Sequence, residues 1–531
     1  MKKNNLDLIE ISALHRQGQL DEAEAGYLAI LRKNPRAVDV LHSLGILYAQ
    51  KENFADAIRY LRLAITYQPS DVVLKLHLAN ALKSQKLFAE AIEILQQALQ
   101  AKPDYVAALN NLGTVYYAQG NFPAAISAFQ SVIEKEPQFI DAYYNLGLAL
   151  GKQQEWPKAI TTYQQLLNLS PSHVAARFHL ACALMYIKKM DDSIHEFSQI
   201  EQIEPHHFET QANLATCYLK KGALQKAKEH YLKALELMPN DTQILFNLGV
   251  IYTEQGDLDS AIRQYQKAVH QQPDFFSAHN NLGVAFIAKQ HVAFALHHFQ
   301  EAARLQPQNE SIRYTIQALS QNKRLLAAPT DYVKSLFDSY AGHYEQHLLS
   351  ALDYQLPLHI KRILERFHPL PAAWNILDLG CGTGLCGVIL KPFAKTLVGV
   401  DLSEKMLEVA LSKKIYDQLA CEDVSLFLMN KKATYDVIVA GDVLVYIGDL
   451  APLFHHIHSA LRERGLFIFN TEISDNEDYR MTQSGRFAHQ KNHLEKLAKE
   501  NHFAVRHYEK TITRLQNNMP VYGHLYVLAK L

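Results

Sequence analysis

Apolar and polar positions repeat with helical spacing along the first three-fifths of the chain. Within residues 106–139, two sets of apolar residues predict two helices: Leu109, Leu112, Tyr116, Ala125, Phe129 and Val132. The pattern recurs every 34 residues, and each unit has a proline at the same place: Pro35, Pro69, Pro103, Pro137, Pro171, Pro205, Pro239, Pro273 and Pro307. Proline stops a helix because it lacks a backbone N–H and clashes with the preceding turn. Each unit is therefore predicted to be a helix pair that must stack on its neighbours to bury its apolar face.

Small residues recur in each unit where the two helices must approach closely, beginning with Gly45 in one helix and Ala57 in the next. These landmarks resemble the tetratricopeptide repeat, and all nine units fit it, the first least well. The resemblance implies an α-solenoid over residues 4–322 that curls into a right-handed superhelix with a concave groove and ends in a capping helix.

A row of asparagines occupies one position of the repeat: Asn111, Asn145, Asn213, Asn247 and Asn281. An amide side chain has two donors and an acceptor, which suits it to holding an extended peptide backbone. The row resembles the asparagine ladder on the inner face of O-GlcNAc transferase, which implies a peptide-binding role. The alternative is that repeat duplication copied an asparagine that bonds only within the helix stack.

A different pattern follows residues 323–330, which break the repeat and are expected to form a hinge. From residue 331 to 531, short apolar runs alternate with segments of helical spacing. The predicted strands are 375–379, 396–400, 435–440, 466–470, 505–513 and 521–528, and the predicted helices are 406–414, 450–461 and 493–500. This alternation predicts a doubly wound, mostly parallel α/β sheet.

The loop after the first predicted strand is rich in glycine, from Asp378 to Gly384. Ligands in such folds bind at the carboxyl ends of the strands, where an acid after the second strand, here Asp401, can bond ribose hydroxyls. Residues 382–387 also spell the G-x-G-x-x-G pattern of dinucleotide-binding proteins, which is weak evidence by itself. S-adenosylmethionine is favoured over a nicotinamide dinucleotide because Asp378 precedes the glycines, Asp423 follows the third strand, and the last two strands suit an antiparallel hairpin.

Residues 331–531 resemble class I S-adenosylmethionine-dependent methyltransferases, which have a Rossmann-like fold, and more narrowly bacterial proteins in which tetratricopeptide repeats precede such a domain. The narrower match is in the strings 336–341, 442–449 and 485–489. The resemblance implies cofactor-binding roles for Asp378, Gly380, Gly382, Gly384, Asp401, Leu402, Asp423 and Val424. It further implies that the helix containing Tyr340 caps the methionine end of the cofactor.

Three residues are candidates for the acceptor pocket: Asp442, Tyr446 and His489. His489 is a candidate general base because an unperturbed imidazole titrates near neutral pH. The alternatives are that Tyr446 only packs and that His489 caps an element or faces solvent. We expect no metal site.

Composition indicates which partners and which cellular compartment to expect for this protein. A net charge of −1 disfavours general binding of nucleic acid, which needs a basic surface. The five cysteines form no C-x-x-C pair, which is typical of a reducing, cytoplasmic protein, and no apolar run of about 20 residues predicts a membrane span.

The sequence therefore predicts a methyltransferase (EC 2.1.1.-) that acts by SN2 displacement on a protein or peptide held by the repeats. Two alternatives remain: a small-molecule methyltransferase whose repeats serve assembly, and a repeat scaffold with an inactive methyltransferase domain. The oligomeric state cannot be predicted from the sequence.

Overall fold

A computed structural model describes residues 7–320, 325–342, 344–350, 354–367, 373–475, 477–516 and 519–531. The chain divides into two compact units, Met1–Ile251 and Tyr252–Leu531. The boundary falls inside the repeats, whose elements contact mainly their sequence neighbours. The functional boundaries 4–322, 323–330 and 331–531 stay a prediction, and residues 4–6 and 321–324 lie outside the described part.

Nineteen helices occupy residues 8–319 of the described chain. They are α1 (Leu8–Arg16), α2 (Leu20–Lys33), α3 (Val38–Gln50), α4 (Phe54–Tyr67), α5 (Val72–Ser84), α6 (Phe88–Ala101), α7 (Val106–Gln119), α8 (Phe122–Lys135), α9 (Ile140–Lys152), α10 (Trp156–Leu169), α11 (Val174–Tyr186), α12 (Met190–Ile203), α13 (Phe208–Lys220), α14 (Leu224–Leu237), α15 (Thr242–Glu254), α16 (Leu258–Gln271), α17 (Phe276–Ala288), α18 (Val292–Leu305) and α19 (Glu310–Leu319).

The small residues of the repeat mark the close approach of paired helices. A Cβ added to Gly147 of α9 would lie 2.4 Å from the ring of Tyr163 in α10, and one added to Gly113 of α7 would lie 2.5 Å from the ring of Phe129 in α8. Glycine is required here because the facing aromatic ring fills the space that a side chain would need. The predicted α-solenoid class is confirmed.

The remaining elements form an α/β fold. Its helices are α20 (Thr330–Tyr340), α21 (Tyr344–Ser350), α22 (Leu356–Phe367), α23 (Leu385–Leu390), α24 (Glu404–Ser412), α25 (Val424–Leu428), α26 (Ala451–Ala460) and α27 (Lys491–Glu500). Its strands are β1 (Trp374–Leu379), β2 (Ala394–Asp401), β3 (Gln418–Cys421), β4 (Tyr435–Ala440), β5 (Leu461–Ile473), β6 (Tyr479–Met481), β7 (Phe487–His489), β8 (Phe503–Gln516) and β9 (Met519–Lys530).

The strands form one sheet in the order β3-β2-β1-β4-β5-β7-β6, and β9 pairs with both β5 and β8. Neighbours from β3 to β5 are parallel, whereas β9 runs antiparallel to β5 and β8. The predicted parallel sheet and its closing hairpin are confirmed. The β6–β7 hairpin was not predicted, because its two strands have three residues each and show no usable alternation.

Strand register brings the functional loops to one edge of the sheet. Leu379, the last residue of β1, pairs with Val400 of β2 and Ala440 of β4, and Asp401 pairs with Cys421 of β3. Both faces of the sheet are covered by buried side chains, which explains why its central strands read as nearly continuous apolar runs. In the described part of the chain, no helix is both long enough and apolar enough to span a bilayer.

Candidate active site

The glycine-rich loop joins β1 to α23 in a backbone conformation that favours glycine. The φ angles are +63° at Gly380, +53° at Gly382 and +90° at Gly384. Residues other than glycine rarely adopt this left-handed backbone conformation. At Gly380 space is also limiting, since an added Cβ would lie 2.2 Å from Cγ2 of Val443. The loop therefore brings bare backbone to the carboxyl edge of the sheet.

Asp401, at the end of β2, is tied to this loop. Its Oδ2 accepts a hydrogen bond from the backbone N–H of Gly382 at 2.9 Å, and its Oδ1 accepts one from that of Ser403 at 2.9 Å. Burial raises the pKa of Asp401, although these N–H groups act in the opposite direction. Each carboxylate oxygen has a further lone pair with which to accept a ligand hydroxyl.

Asp423 lies in the turn after β3 and caps α25. Its Oδ1 accepts hydrogen bonds from the backbone N–H groups of Ser425 at 2.9 Å and Leu426 at 3.2 Å. Val424 follows it and is buried, so an acid and an apolar side chain stand side by side at this strand end.

One cavity of about 390 Å³ brings these strand ends together. Its lining includes nine predicted site residues: Tyr340, Gly380, Gly382, Asp401, Leu402, Asp423, Val424, Asp442 and Tyr446. The structure thus places these nine residues around a single space.

Asp378 and Gly384 are not among the residues that line this cavity. Asp378 is 1% exposed, and its Oδ2 accepts a hydrogen bond from the hydroxyl of Tyr416 at 2.7 Å. Burial raises the pKa of Asp378 to about 7, and the Tyr416 hydrogen bond only partly opposes this effect. An added Cβ on Gly384 would lie 3.1 Å from the same tyrosine ring. Tyr416, which sequence reasoning missed, therefore supports the glycine loop from beneath.

Helices α20 and α21 supply three of the aromatic side chains that line the cavity. The rings of Tyr340 and Tyr344 meet edge to face with centroids 5.4 Å apart, and Phe337 meets Tyr344 at 6.0 Å. Asp338 anchors α20 by accepting a hydrogen bond from the hydroxyl of Ser403 at 2.6 Å. The helix predicted to cap the cofactor thus contributes directly to the cavity.

Asp442 follows β4 and is held by Asn470 of β5. Asn470 Oδ1 accepts from the backbone N–H of Asp442 at 2.7 Å, and Asn470 Nδ2 donates to the Asp442 carboxylate at 2.8 Å. The φ angle of Asp442 is +60°, a conformation uncommon for residues other than glycine. Burial favours a raised pKa, but the charges of Arg486 and Arg514 outweigh it and lower the pKa of Asp442.

A buried chain of alternating charges continues from Asp442. Arg486 Nη2 lies 3.3 Å from Asp442 Oδ1, Arg486 Nε lies 2.8 Å from Glu472 Oε1, and Arg514 Nη1 lies 2.9 Å from the same Glu472 oxygen. Both arginines line the cavity. Sequence reasoning missed the arginines and Glu472. The sequence signal that could have pointed to Arg486 is its position as a cation between a glycine and the apolar residues of β7.

Tyr446 lies at the cavity with its ring under Arg486, whose Cζ is 5.4 Å from the ring centroid. Burial raises the pKa of Tyr446. His489, by contrast, does not line the cavity and is fully buried. Its Nε2 donates a hydrogen bond to the carbonyl of Gly448 at 3.1 Å, and burial lowers its pKa to about 4. The role of His489 as a base stays a prediction that its placement does not support.

The five repeat asparagines are all partly buried, and four of them make hydrogen bonds inside the helix stack. Asn247 donates to the hydroxyl of Tyr231 at 2.9 Å, and Asn281 donates to that of Tyr265 at 3.3 Å. Asn111 donates to Asn80 at 2.9 Å, and Asn213 donates to the carbonyl of Glu209 at 2.8 Å. Peptide binding by Asn111, Asn145, Asn213, Asn247 and Asn281 stays a prediction.

The lining residues fit S-adenosylmethionine. The carboxylate of Asp401 suits a ribose diol, and Leu402 and Val424 offer apolar contact to a base beside Asp423. At Gly382 the nearest atom to an added Cβ would be in the ring of Tyr344, 3.9 Å away. The space beside this glycine is therefore open to a ligand.

Family models cover most of the chain. A model described as a methyltransferase domain matches residues 349–514. Tetratricopeptide-repeat models match residues 10–72, 47–112, 82–150, 116–185, 208–241, 230–263 and 250–290.

Individual relatives match part of the chain. Malonyl-[acyl-carrier protein] O-methyltransferase of Bacillus cytotoxicus is 28% identical over 155 residues, which are 28% of this chain and 50% of that protein. The biotin biosynthesis bifunctional protein BioHC of Saccharophagus degradans is 34% identical over 105 residues, 19% of this chain and 18% of that protein. The chain thus spans half or less of the length of these relatives.

Solved structures resemble the two parts separately. YrrB, a repeat protein described as having an unusual peptide-binding site, is 23% identical with a TM-score of 0.32, covering 35% of this chain and 95% of YrrB. Magnesium protoporphyrin IX methyltransferase (ChlM) from Synechocystis PCC 6803 is 16% identical with a TM-score of 0.31, covering 38% of this chain and 99% of ChlM. The matches to the family models identify the chain as a fusion of tetratricopeptide repeats and a methyltransferase domain.

Proposed function

We propose that residues 331–531 bind S-adenosylmethionine and transfer its methyl group to an acceptor bound in the same cavity. This proposal rests on one observation. Gly382, Asp401 and Asp423 follow the ends of three neighbouring parallel strands, and all three line one cavity. Nucleoside ligands of open α/β sheets bind at this edge.

The bound cofactor supplies a methyl carbon attached to a positively charged sulfur. Asp401 holds the ribose, and the backbone at Gly380 and Gly382 approaches the cofactor closely. Tyr340 and Tyr344 cover the cavity and exclude water, so that the acceptor and the methyl group stay aligned. The burial of Asp378 against Tyr416 supports a role in shaping the loop rather than direct contact with the cofactor.

For the acceptor, we propose a protein or peptide bound by the repeats. Tetratricopeptide repeats generally mediate protein–protein interactions, and the five asparagines are only partly buried, which supports this acceptor. A small-molecule acceptor is the second candidate. It is favoured by the cavity volume of about 390 Å³, which lies within the range of small-molecule sites.

We also propose a cytoplasmic location. The five cysteines Cys182, Cys217, Cys381, Cys386 and Cys421 are all free thiols in the structure. Free thiols persist in a reducing compartment.

Calorimetric titration of S-adenosylmethionine into the full chain tests the cofactor. We expect micromolar binding to the wild type. Asp401→Ala removes the two charge-assisted hydrogen bonds that the carboxylate is proposed to accept from the ribose hydroxyls, of about 1.5–3 kcal/mol each. It should therefore weaken binding at least 100-fold. Asp417→Ala is the matched control, because Asp417 also accepts a backbone hydrogen bond but does not line the cavity. No binding to the wild type, or equal binding by both variants, would contradict the proposal.

Transfer from methyl-labelled cofactor in a cell extract tests the acceptor. Label in the macromolecular fraction is expected, and replacing Asn111, Asn145 and Asn213 together by alanine should lower that label without changing cofactor affinity. Label confined to the low-molecular-mass fraction would favour the second candidate.

A further inference from the structure

Two guanidinium groups line the proposed methyltransferase cavity. The side chains of Arg486 and Arg514 are only 14% and 8% exposed. They are the two positively charged side chains among the described residues of the lining. Burying an arginine is costly unless its charge is compensated, and Asp442 and Glu472 supply that compensation while both guanidinium groups stay at the cavity wall.

Arg486 has donor capacity beyond its two acidic partners. Its Nη2 lies 3.3 Å from Asp442 Oδ1, and its Nε lies 2.8 Å from Glu472 Oε1. Nη1 takes part in neither pair. A guanidinium has five N–H donors in a planar fork, which matches the two oxygens of a carboxylate.

Apart from Asp401 and Asp423, which lie on the cofactor side, the described residues that line the cavity offer no ready base for an acceptor at neutral pH. Among its described lining residues there is no histidine, lysine or cysteine. Burial raises the pKa of both Tyr344 and Tyr446, so they stay protonated, and the arginines lower the pKa of Asp442, so it is a weak base. Hydroxyl and ammonium acceptors need such a base. A carboxylic acid with a pKa of about 4 arrives already ionised.

We propose that the acceptor is a carboxylate, held by Arg486 and methylated on oxygen to give a methyl ester. This inference rests on the proposed function. One carboxylate oxygen uses a lone pair to form the bond to the methyl carbon while the carbon–sulfur bond breaks, and that bond's electron pair stays on sulfur. The anionic carboxylate and the cationic sulfonium become a neutral ester and a neutral thioether, so no proton is released and no base is needed.

A binding experiment tests the carboxylate site without requiring turnover. Hexanoate, hexylammonium and hexan-1-ol are titrated into the full chain, with and without S-adenosylhomocysteine, because Leu336, Phe337 and Leu348 provide apolar lining for an aliphatic tail. We expect hexanoate to bind at least tenfold more tightly than the other two probes. Hexanoate binding that is absent, or weaker than hexylammonium binding, would overturn the proposal.

Arg486→Lys keeps the charge that the buried acids need and removes the planar fork, so we expect at least tenfold weaker hexanoate binding. Arg462→Lys is the matched control: Arg462 of β5 has a 46% exposed side chain, pairs with Asp436 at 3.1 Å and does not line the cavity. Equal loss of binding in both variants would contradict the role of Arg486.

The product of methyl transfer in a cell extract gives a second, independent readout on the unmodified protein. Methyl esters release labelled methanol in mild alkali, whereas N-methyl, S-methyl and ether products do not. We expect alkali-labile label in either the protein or the small-molecule fraction, and the fraction identifies the source of the carboxylate. Alkali-stable label, or no label while the cofactor binds, would overturn the inference. Failure of the cofactor to bind would instead refute the proposed function.

Discussion

Replacing Asp378 by asparagine should stabilise the C-terminal unit in a strongly pH-dependent manner. Burial raises the pKa of Asp378 from its ordinary value of 3.8 to about 7. Between these values the unfolded chain loses the proton while the folded chain keeps it. The wild type therefore loses stability as the pH rises from about 4 to about 7. Asparagine does not titrate, and its oxygen can still accept the hydrogen bond from Tyr416.

The magnitude follows from the size of the pKa change. Each pH unit between the two pKa values corresponds to about 1.4 kcal/mol, so Asp378→Asn should gain up to about 4 kcal/mol over the wild type at pH 7. At pH 4 the two proteins should be nearly equal in stability.

Intrinsic fluorescence provides the assay, since the chain has two tryptophans. Trp374 lies in β1 with Asp378, so a Trp156→Phe background makes it the single reporter of this unit. Urea unfolding at pH 4.5, 5.5, 6.5 and 7.5 gives the free energies of unfolding for each protein.

Asp417→Asn is the control of opposite sign. The backbone N–H of Leu397 is the largest of the effects that lower the pKa of Asp417. Its carboxylate therefore contributes stability that is present above the unfolded pKa of 3.8 and is lost only below it, so the cost of Asp417→Asn should stay nearly constant from pH 4.5 to 7.5. Parallel curves of stability against pH for Asp378→Asn and its parent would refute the reasoning.

Two other predictions concern packing and buried charge. Gly147→Ala places a Cβ against the ring of Tyr163 and should destabilise the repeats by about 1–3 kcal/mol in thermal unfolding, whereas Gly151→Ala in the same helix meets only ordinary contact at 3.5 Å and should gain about 0.5–1 kcal/mol. Equal effects would contradict the proposed close approach. Glu472→Gln leaves two buried arginines with one acid and should destabilise the C-terminal unit by about 3–5 kcal/mol in the Trp374 assay; a loss under about 1 kcal/mol would show that the charges are not coupled.

Much of the fold was predictable because its signals are local. The 34-residue period places one helix pair per unit, and the structure gives α1 to α18 as nine such pairs. The glycine loop and Asp401 were predictable for a similar reason, since each directly follows a strand whose end lies at the ligand edge. The β6–β7 hairpin was not predictable, because strands of three residues leave no periodic pattern.

The acceptor side depended on contacts between residues distant in sequence. His489 and Arg486 stand three residues apart, yet the histidine turns inward to the carbonyl of Gly448 while the arginine lines the cavity. No local pattern distinguishes these two outcomes.

The sequence by itself determined the helix repeats, the order of strands and helices, and the glycine-rich loop, because periodicity and turn residues encode burial and backbone conformation locally. Only the tertiary structure decided which charges meet. Asp442, Glu472, Arg486 and Arg514 come from separate elements, and their ionisation depends on burial and on each other. Electrostatic energy depends on distance and on the surrounding medium, and both are fixed only when the sheet is assembled.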